Sequence, residues 1–261
     1  KLKVPLFEFL PKFLSFLLMK RSSVFKIFIS LLFLLSANMF TFAEGKFVVV
    51  RSKNFKFVGE ASEEKIRREA FRLEQFREAL RRAFPELRLD APFPPTVLIF
   101  KDSESFAPFK PVRENGLADR SVSGFFQSSD EANYIALSAA ADLKKSSDTM
   151  FHEYVHFVIK NNFQTSILPV WLNEGLAEYF QTFHLKNERK AIFGEAQKNH
   201  LRLLRQYNPV SLQTLSTIDY ESLAQMDSDK KNLFYAQSWA VTHYLMRKNG
   251  GLLNARIKNY L

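Results

Sequence analysis

The chain has no cysteine. A thiolate metal site, a disulfide framework and a catalytic thiol are therefore excluded, and any metal must be held by His and carboxylate. Glycine and proline are scarce, 8 and 10 in 261 residues, and with 46% hydrophobic and 25% charged residues this excludes a long low-complexity region. No internal repeat is visible. A chain of this length buries a substantial core, so one catalytic domain behind a short leader is the expectation.

Acidic residues are in the minority, which gives a net charge of +10. Residues 1–43 hold six Lys/Arg against one Glu and so account for half of that excess. The remaining basic residues are spread along helical segments such as 65–82, the pattern of a solvated face rather than a nucleic-acid groove, and no nucleic-acid partner is expected.

Met19, Lys20 and Arg21 are followed by the apolar run Ile27–Phe40 and then by Thr41, Phe42, Ala43 and Glu44. This is the order of a secretory signal over 19–43, with a cut after Ala43. The expected location is exported, periplasmic or extracellular. An uncleaved anchor over residues 20–43 and a buried hydrophobic helix are the other readings, although the run is short for a bilayer, which wants about 20 apolar residues. Residues 1–18 lie upstream of a good start and are expected to be an extension outside the fold, leaving 44–261 as the domain.

Phe47–Arg51 and Phe55–Gly59 read as a hairpin. Ser62 is placed as an N-cap, and Ile66, Ala70, Leu73, Phe76, Leu80 and Phe84 recur at helical spacing, so a helix is predicted over 62–84. Prolines 85, 92, 94 and 95 break that pattern before a buried strand, Thr96–Phe100. Residues 101–123 read as loop with a short helix, followed by strands Gly124–Gln127 and Asn133–Ser138. Helices are expected at about 147–161, 169–184, 187–206 and 232–248, with another starting near Leu252. Strands first and helices after is the α+β class.

The segment TMFHEYVHFVIK (Thr149–Lys160) carries His152, Glu153 and His156. Residues four apart on a helix lie one turn above each other, so both imidazoles can share one zinc ion, while Glu153 can reach water beside it. LPVWLNEGLAEYF (Leu168–Phe180) reads as a second helix with Pro169 in its first turn. Glu174 on that helix supplies the third ligand of a His₂Glu site, which leaves one position open. Glu178, on the same face, has an ordinary exposed carboxylate as its bland reading.

The pair HEYVH and WLNEGLAEYF resembles the gluzincin zinc metallopeptidases, most closely the bacterial peptidase MA-like proteins related to the alanyl-aminopeptidase and thermolysin groups. The resemblance covers residues 124–261. It implies a thermolysin/aminopeptidase-like catalytic domain, with a small mixed sheet followed by a helical half and the zinc site between two adjacent helices. It also implies Zn²⁺ as cofactor, Glu174 as the third ligand, and Glu178 as a carboxylate that orients a ligand from outside. FYAQSWAVTHYL (Phe234–Leu245) is similar to the stretch whose Tyr stabilises the tetrahedral intermediate, which maps to Tyr235; a core aromatic is the other reading. The aminopeptidase strand whose Glu grips a free amine has no counterpart here. NYIALS (Asn133–Ser138) stands in its place and is expected to serve as the edge strand for an extended peptide.

The expected activity is peptide-bond hydrolysis by metal-activated water, with Glu153 as general base and a peptide or protein as substrate. A non-catalytic module that holds a peptide or cell-envelope partner is the alternative, though such a module has no chemical need for Glu153. A structural zinc site is disfavoured, since His184, His200 and His243 read as surface or core residues and no fourth ligand stands out.

Overall fold

In a computed structural model of the chain, the described residues are 47–112, 118–119, 122–139, 143–163, 168–187 and 189–248. They form a mixed α+β arrangement, in agreement with the expected class. The leader, residues 1–18 and the helix expected near Leu252 lie outside them.

A five-stranded sheet holds β1 (Val48–Arg51), β2 (Lys56–Gly59), β3 (Thr96–Phe100), β4 (Gly124–Ser128) and β5 (Asn133–Ser138) in the order β1-β2-β3-β5-β4. The β1–β2 and β4–β5 pairs are antiparallel, whereas β2–β3 and β3–β5 are parallel. Parallel neighbours need a crossover. Helix α1 (Glu63–Ala83) makes the one between β2 and β3, N-capped as expected by Ser62, whose side chain accepts from the Lys65 amide. The crossover from β3 contains the short helix α2 (Ser103–Phe106), which Asp102 caps.

Strand register sorts the two faces of the sheet. Phe57, Val97 and Ile135 line up across three strands, as do Gly59, Ile99 and Leu137, and the large side chains among them are buried on one face. Helices α1 and α3 (Leu143–Asn162) cover that face, with Ile66, Leu73, Phe76, Phe151 and Tyr154 in the shared core. The opposite face is closed by Phe106 over Phe100 and Phe125. Asn161 and Asn162 fasten the end of α3 by donating to the Arg88 carbonyl at 2.6 and 2.9 Å.

The helical half comprises α4 (Val170–Phe180), α5 (Lys198–Gln206), α6 (Leu212–Thr217), α7 (Tyr220–Gln225) and α8 (Ser228–Arg247). Between α4 and α5 lies an antiparallel hairpin, β6 (His184–Lys186) and β7 (Lys190–Ile192). This corrects the helix expected over 187–206. Asn187 turns at φ 52° and Gly194 at φ 67°, conformations that no helix accommodates, while Phe183 and Phe193 anchor the hairpin in the aromatic core. Helices α6 and α7 are additional to the expected elements. Among the described residues no helix is long and apolar enough to cross a membrane.

The expectation for NYIALS is also corrected. Strand β5 lies inside the sheet, between β3 and β4, so its backbone is already paired on both sides, and the open edge belongs to β4.

Candidate metal centre

Helix α3 is held by its apolar side chains. Met150, Phe151, Tyr154, Val155, Val158 and Ile159 are all buried, which fixes the rotation of the helix and turns His152 and His156 together towards α4. The two rings lie 4.8 Å apart at 78°. Glycine at 175 lets α4 come close to α8, because a Cβ there would meet Thr242 and sit 2.5 Å from the Ser238 carbonyl oxygen. That close contact sets the position of its neighbour, Glu174.

One carboxylate oxygen, Glu174 Oε2, faces both imidazoles, 3.4 Å from His152 Nε2 and 3.6 Å from His156 Nε2. Ligands about 2.0–2.2 Å from a tetrahedral zinc ion stand about 3.3–3.5 Å from one another, so this donor set has the right spacing and chemistry. Among the described residues, His152, His156 and Glu174 are the group of this kind able to hold a metal.

The other atoms of the three side chains are engaged. Glu178 Oε1 lies 3.7 Å from His152 Nδ1, and its Oε2 accepts from Gln181, from Gln197 at 3.1 Å and from His200 Nε2 at 2.7 Å. His156 Nδ1 stands 3.0 Å from Asn173 Oδ1, which accepts only, so the ring carries a proton on Nδ1 and turns Nε2 towards Glu174. Asn173 Nδ2 donates to the Tyr220 hydroxyl at 2.6 Å, and that hydroxyl donates to Glu174 Oε1 at 3.2 Å. Anchored partners of this type fix ring orientation and tautomer in metal sites.

Charge in the site points the same way. Glu153, Glu174 and Glu178 are all buried around the two imidazoles. Burial works against charge on His152, but Glu174, Glu153 and Glu178 outweigh it and raise its pKa to about 9. His156 is also raised, again by carboxylates against burial. Burial likewise opposes ionisation of Glu174, yet the two histidines hold it well below the usual carboxylate range. Three carboxylates in so small a space require positive charge beside them, which the two imidazoles supply when protonated and which a bound cation would supply in their place.

Glu153 has its carboxyl pushed up by burial, partly offset by the histidines and by a hydrogen bond from the Phe126 amide. The antiparallel alternation, in which Ser129 N–H bonds to Ala132 and Ser138 N–H to Ser123, turns that amide to the open edge of β4. The centre opens onto two clefts. One, of about 610 Å³, is lined by Asp119, Gln181, Asp227 and Lys231; the other, of about 500 Å³, by Phe125, Phe126, Tyr220 and Leu223. His152, Glu153 and Tyr235 line both. Burial pushes the Tyr235 phenol up, with help from Glu174, so it is a proton donor at neutral pH.

The structure thus brings together every residue singled out in the sequence: His152, Glu153, His156, Glu174, Glu178 and Tyr235. Asn173, Gln181, Gln197, His200 and Tyr220 were not singled out for roles. For Asn173 the signal was its place beside Glu174. His200 lies on the strongly amphipathic helix α5, which hides its approach to Glu178. Tyr220 has no local signal.

Residues 146–259 match the model of a family described as protein of unknown function (DUF1570). No curated protein matches the chain.

Proposed function

We propose that this chain is a zinc-dependent peptidase of the gluzincin type, with a thermolysin/aminopeptidase-like catalytic domain, exported from a bacterial cell. The observation that carries the reading is the single carboxylate oxygen of Glu174 facing the Nε2 atoms of both His152 and His156, while the far side of each ring is engaged by Glu178 or Asn173. Those three residues would hold zinc, and the ion when bound supplies Lewis acidity that polarises a carbonyl and acidifies water.

The chain's own residues supply the rest of the reaction. Glu153 stands beside the first ligand with a carboxyl raised by burial, which brings it closer to the neutral range that suits a general base. It takes a proton from the attacking water as the water oxygen bonds to the carbonyl carbon. The same carboxyl returns that proton to the amine nitrogen as the C–N bond breaks. The Tyr235 hydroxyl donates to the developing oxyanion, a type of contact whose loss costs about 2.7–4 kcal/mol elsewhere. The substrate backbone has the open edge of β4 to pair with.

Glu153→Gln keeps the shape of the side chain and removes the base. The purified variant should retain zinc by elemental analysis and lose casein or peptide hydrolysis by about 10²–10⁴-fold. Hydrolysis at the wild-type rate would refute the role of Glu153. Glu174→Ala should lower the zinc content itself, and unchanged stoichiometry would remove Glu174 from the ligand set.

A further inference from the structure

The stretch between α5 and α8 sends one side chain into the centre. Helix α7 is started by Asp219, whose side chain accepts from the Ser222 amide, and is pinned by Leu223, buried in a small cluster with Val170, Leu215 and Phe234. Tyr220 opens this helix. The residue is 51% exposed overall, but its hydroxyl end meets Asn173 and Glu174.

The direction of each hydrogen bond is fixed by chemistry. Asn173 Oδ1 can only accept, so His156 Nδ1 donates to it. Asn173 Nδ2 can only donate, so the phenol oxygen accepts. The phenol proton is then directed to Glu174 Oε1. A continuous chain runs from His156 through Asn173 and Tyr220 to Glu174 and links two of the three candidate ligands. It also divides the carboxylate: Oε1 is taken by the phenol, and Oε2 is left facing the imidazoles. By contrast, the Tyr235 hydroxyl has no hydrogen-bond partner among the described residues and is free to meet substrate.

We infer that Tyr220 is a positioning residue that holds Glu174 to coordination through Oε2 alone, and so keeps one position on the metal open for water and substrate. The inference rests on the metal reading above. It divides the work between two tyrosines, Tyr220 acting on the ligand and Tyr235 on the substrate.

The test measures metal binding on the full chain without reference to activity. Zinc affinity is obtained by competition against a chromogenic chelator, and the visible absorption of the cobalt(II)-loaded protein reports coordination number. Tyr220→Phe keeps the ring and removes the donor. It should bind zinc about 10–100-fold more weakly, the range typical for loss of a partner to a metal ligand. Its cobalt band should weaken, as it does when a second carboxylate oxygen joins the ion, and the metal-free variant should melt as wild type does. Tyr235→Phe should leave zinc affinity and the cobalt band unchanged. Wild-type affinity and spectrum in Tyr220→Phe would overturn the inference and leave the metal reading standing. So would an equal loss of affinity in Tyr235→Phe, or a loss accompanied by an equally large drop in metal-free stability. If the wild-type chain binds neither ion, the metal reading falls and this inference with it.

Discussion

Glu69 is, among the described residues, the most deeply buried carboxylate, 1% exposed on α1. Its Oε2 accepts from Ser147 Oγ at 2.6 Å, tying α1 to α3, while Oε1 has no hydrogen-bond partner. Burial raises its pKa against the lowering effects of Ser147 and nearby basic residues. The folded state therefore holds the proton more tightly than the unfolded one. Stability falls as pH rises from the ordinary carboxylate value through the raised one, and the penalty stays constant above both. Glu69→Gln removes that ionisation, so the melting temperature of the variant relative to wild type should rise between pH 4.5 and pH 8. A difference that is flat or shrinks over that range would show that Glu69 is not destabilised by its charge. At this scale the sequence was informative where chemistry is local. His152, Glu153 and His156 announce themselves because helical periodicity alone places them on one turn. Tyr220, 46 residues beyond Glu174 along the chain, meets it through a tertiary approach that no spacing encodes.

At the scale of elements, the close contact of α4 with α8 is what brings Glu174 to the histidines. Gly175 makes it possible: a Cβ there would press on the Thr242 hydroxyl and on the Ser238 backbone, which cannot swing aside within a helix. Gly175→Ala should cost about 1–3 kcal/mol in denaturant unfolding, as overpacking does. It should also weaken zinc binding, because the neighbouring ligand moves with the helix. An alanine variant as stable as wild type would mean that the two helices part without cost. Helices α1, α3, α4 and α8 were legible from apolar periodicity and from Ser62, and β3 from its short apolar run. The hairpin β6–β7 was not. Its residues include Leu, Lys, Glu, Arg and Ala, all good helix formers or tolerated in helices, and the preference is overridden by Phe183 and Phe193 reaching the aromatic core and by Asn187 and Gly194 at positive φ. Gly194 was the available warning, since glycine within a helical pattern marks a break. The edge strand was misplaced for a topological reason. Which of two adjacent strands lies outermost depends on the parallel β3–β5 pairing, a long-range contact that alternation within each strand does not report.

Across the whole molecule, helix α3 belongs to both halves: its apolar face closes the core under the sheet, and its histidines face α4. Zinc held by His152, His156 and Glu174 would therefore cross-link two helices that also carry the main core, so metal binding and global unfolding should be linked rather than confined to a loop. A ligand that binds only the folded state adds RT ln(1 + [L]/Kd), about 2.7 kcal/mol at a free concentration one hundred times Kd. For a domain of this size, about 2–4 °C per kcal/mol converts that to a rise on the order of 5–10 °C. Chelator-treated protein should melt in one transition below the zinc-loaded form, and adding zinc back should restore the difference. His152→Ala should lose the zinc-dependent rise and melt below the chelated wild type, because without metal the ring is held cationic by Glu174, Glu153 and Glu178 and balances their charge. If the melting temperature ignores zinc across that concentration range, or if His152→Ala responds to it as wild type does, the metal does not bind between α3 and α4, and the arrangement of Glu174 against the two rings must serve another purpose.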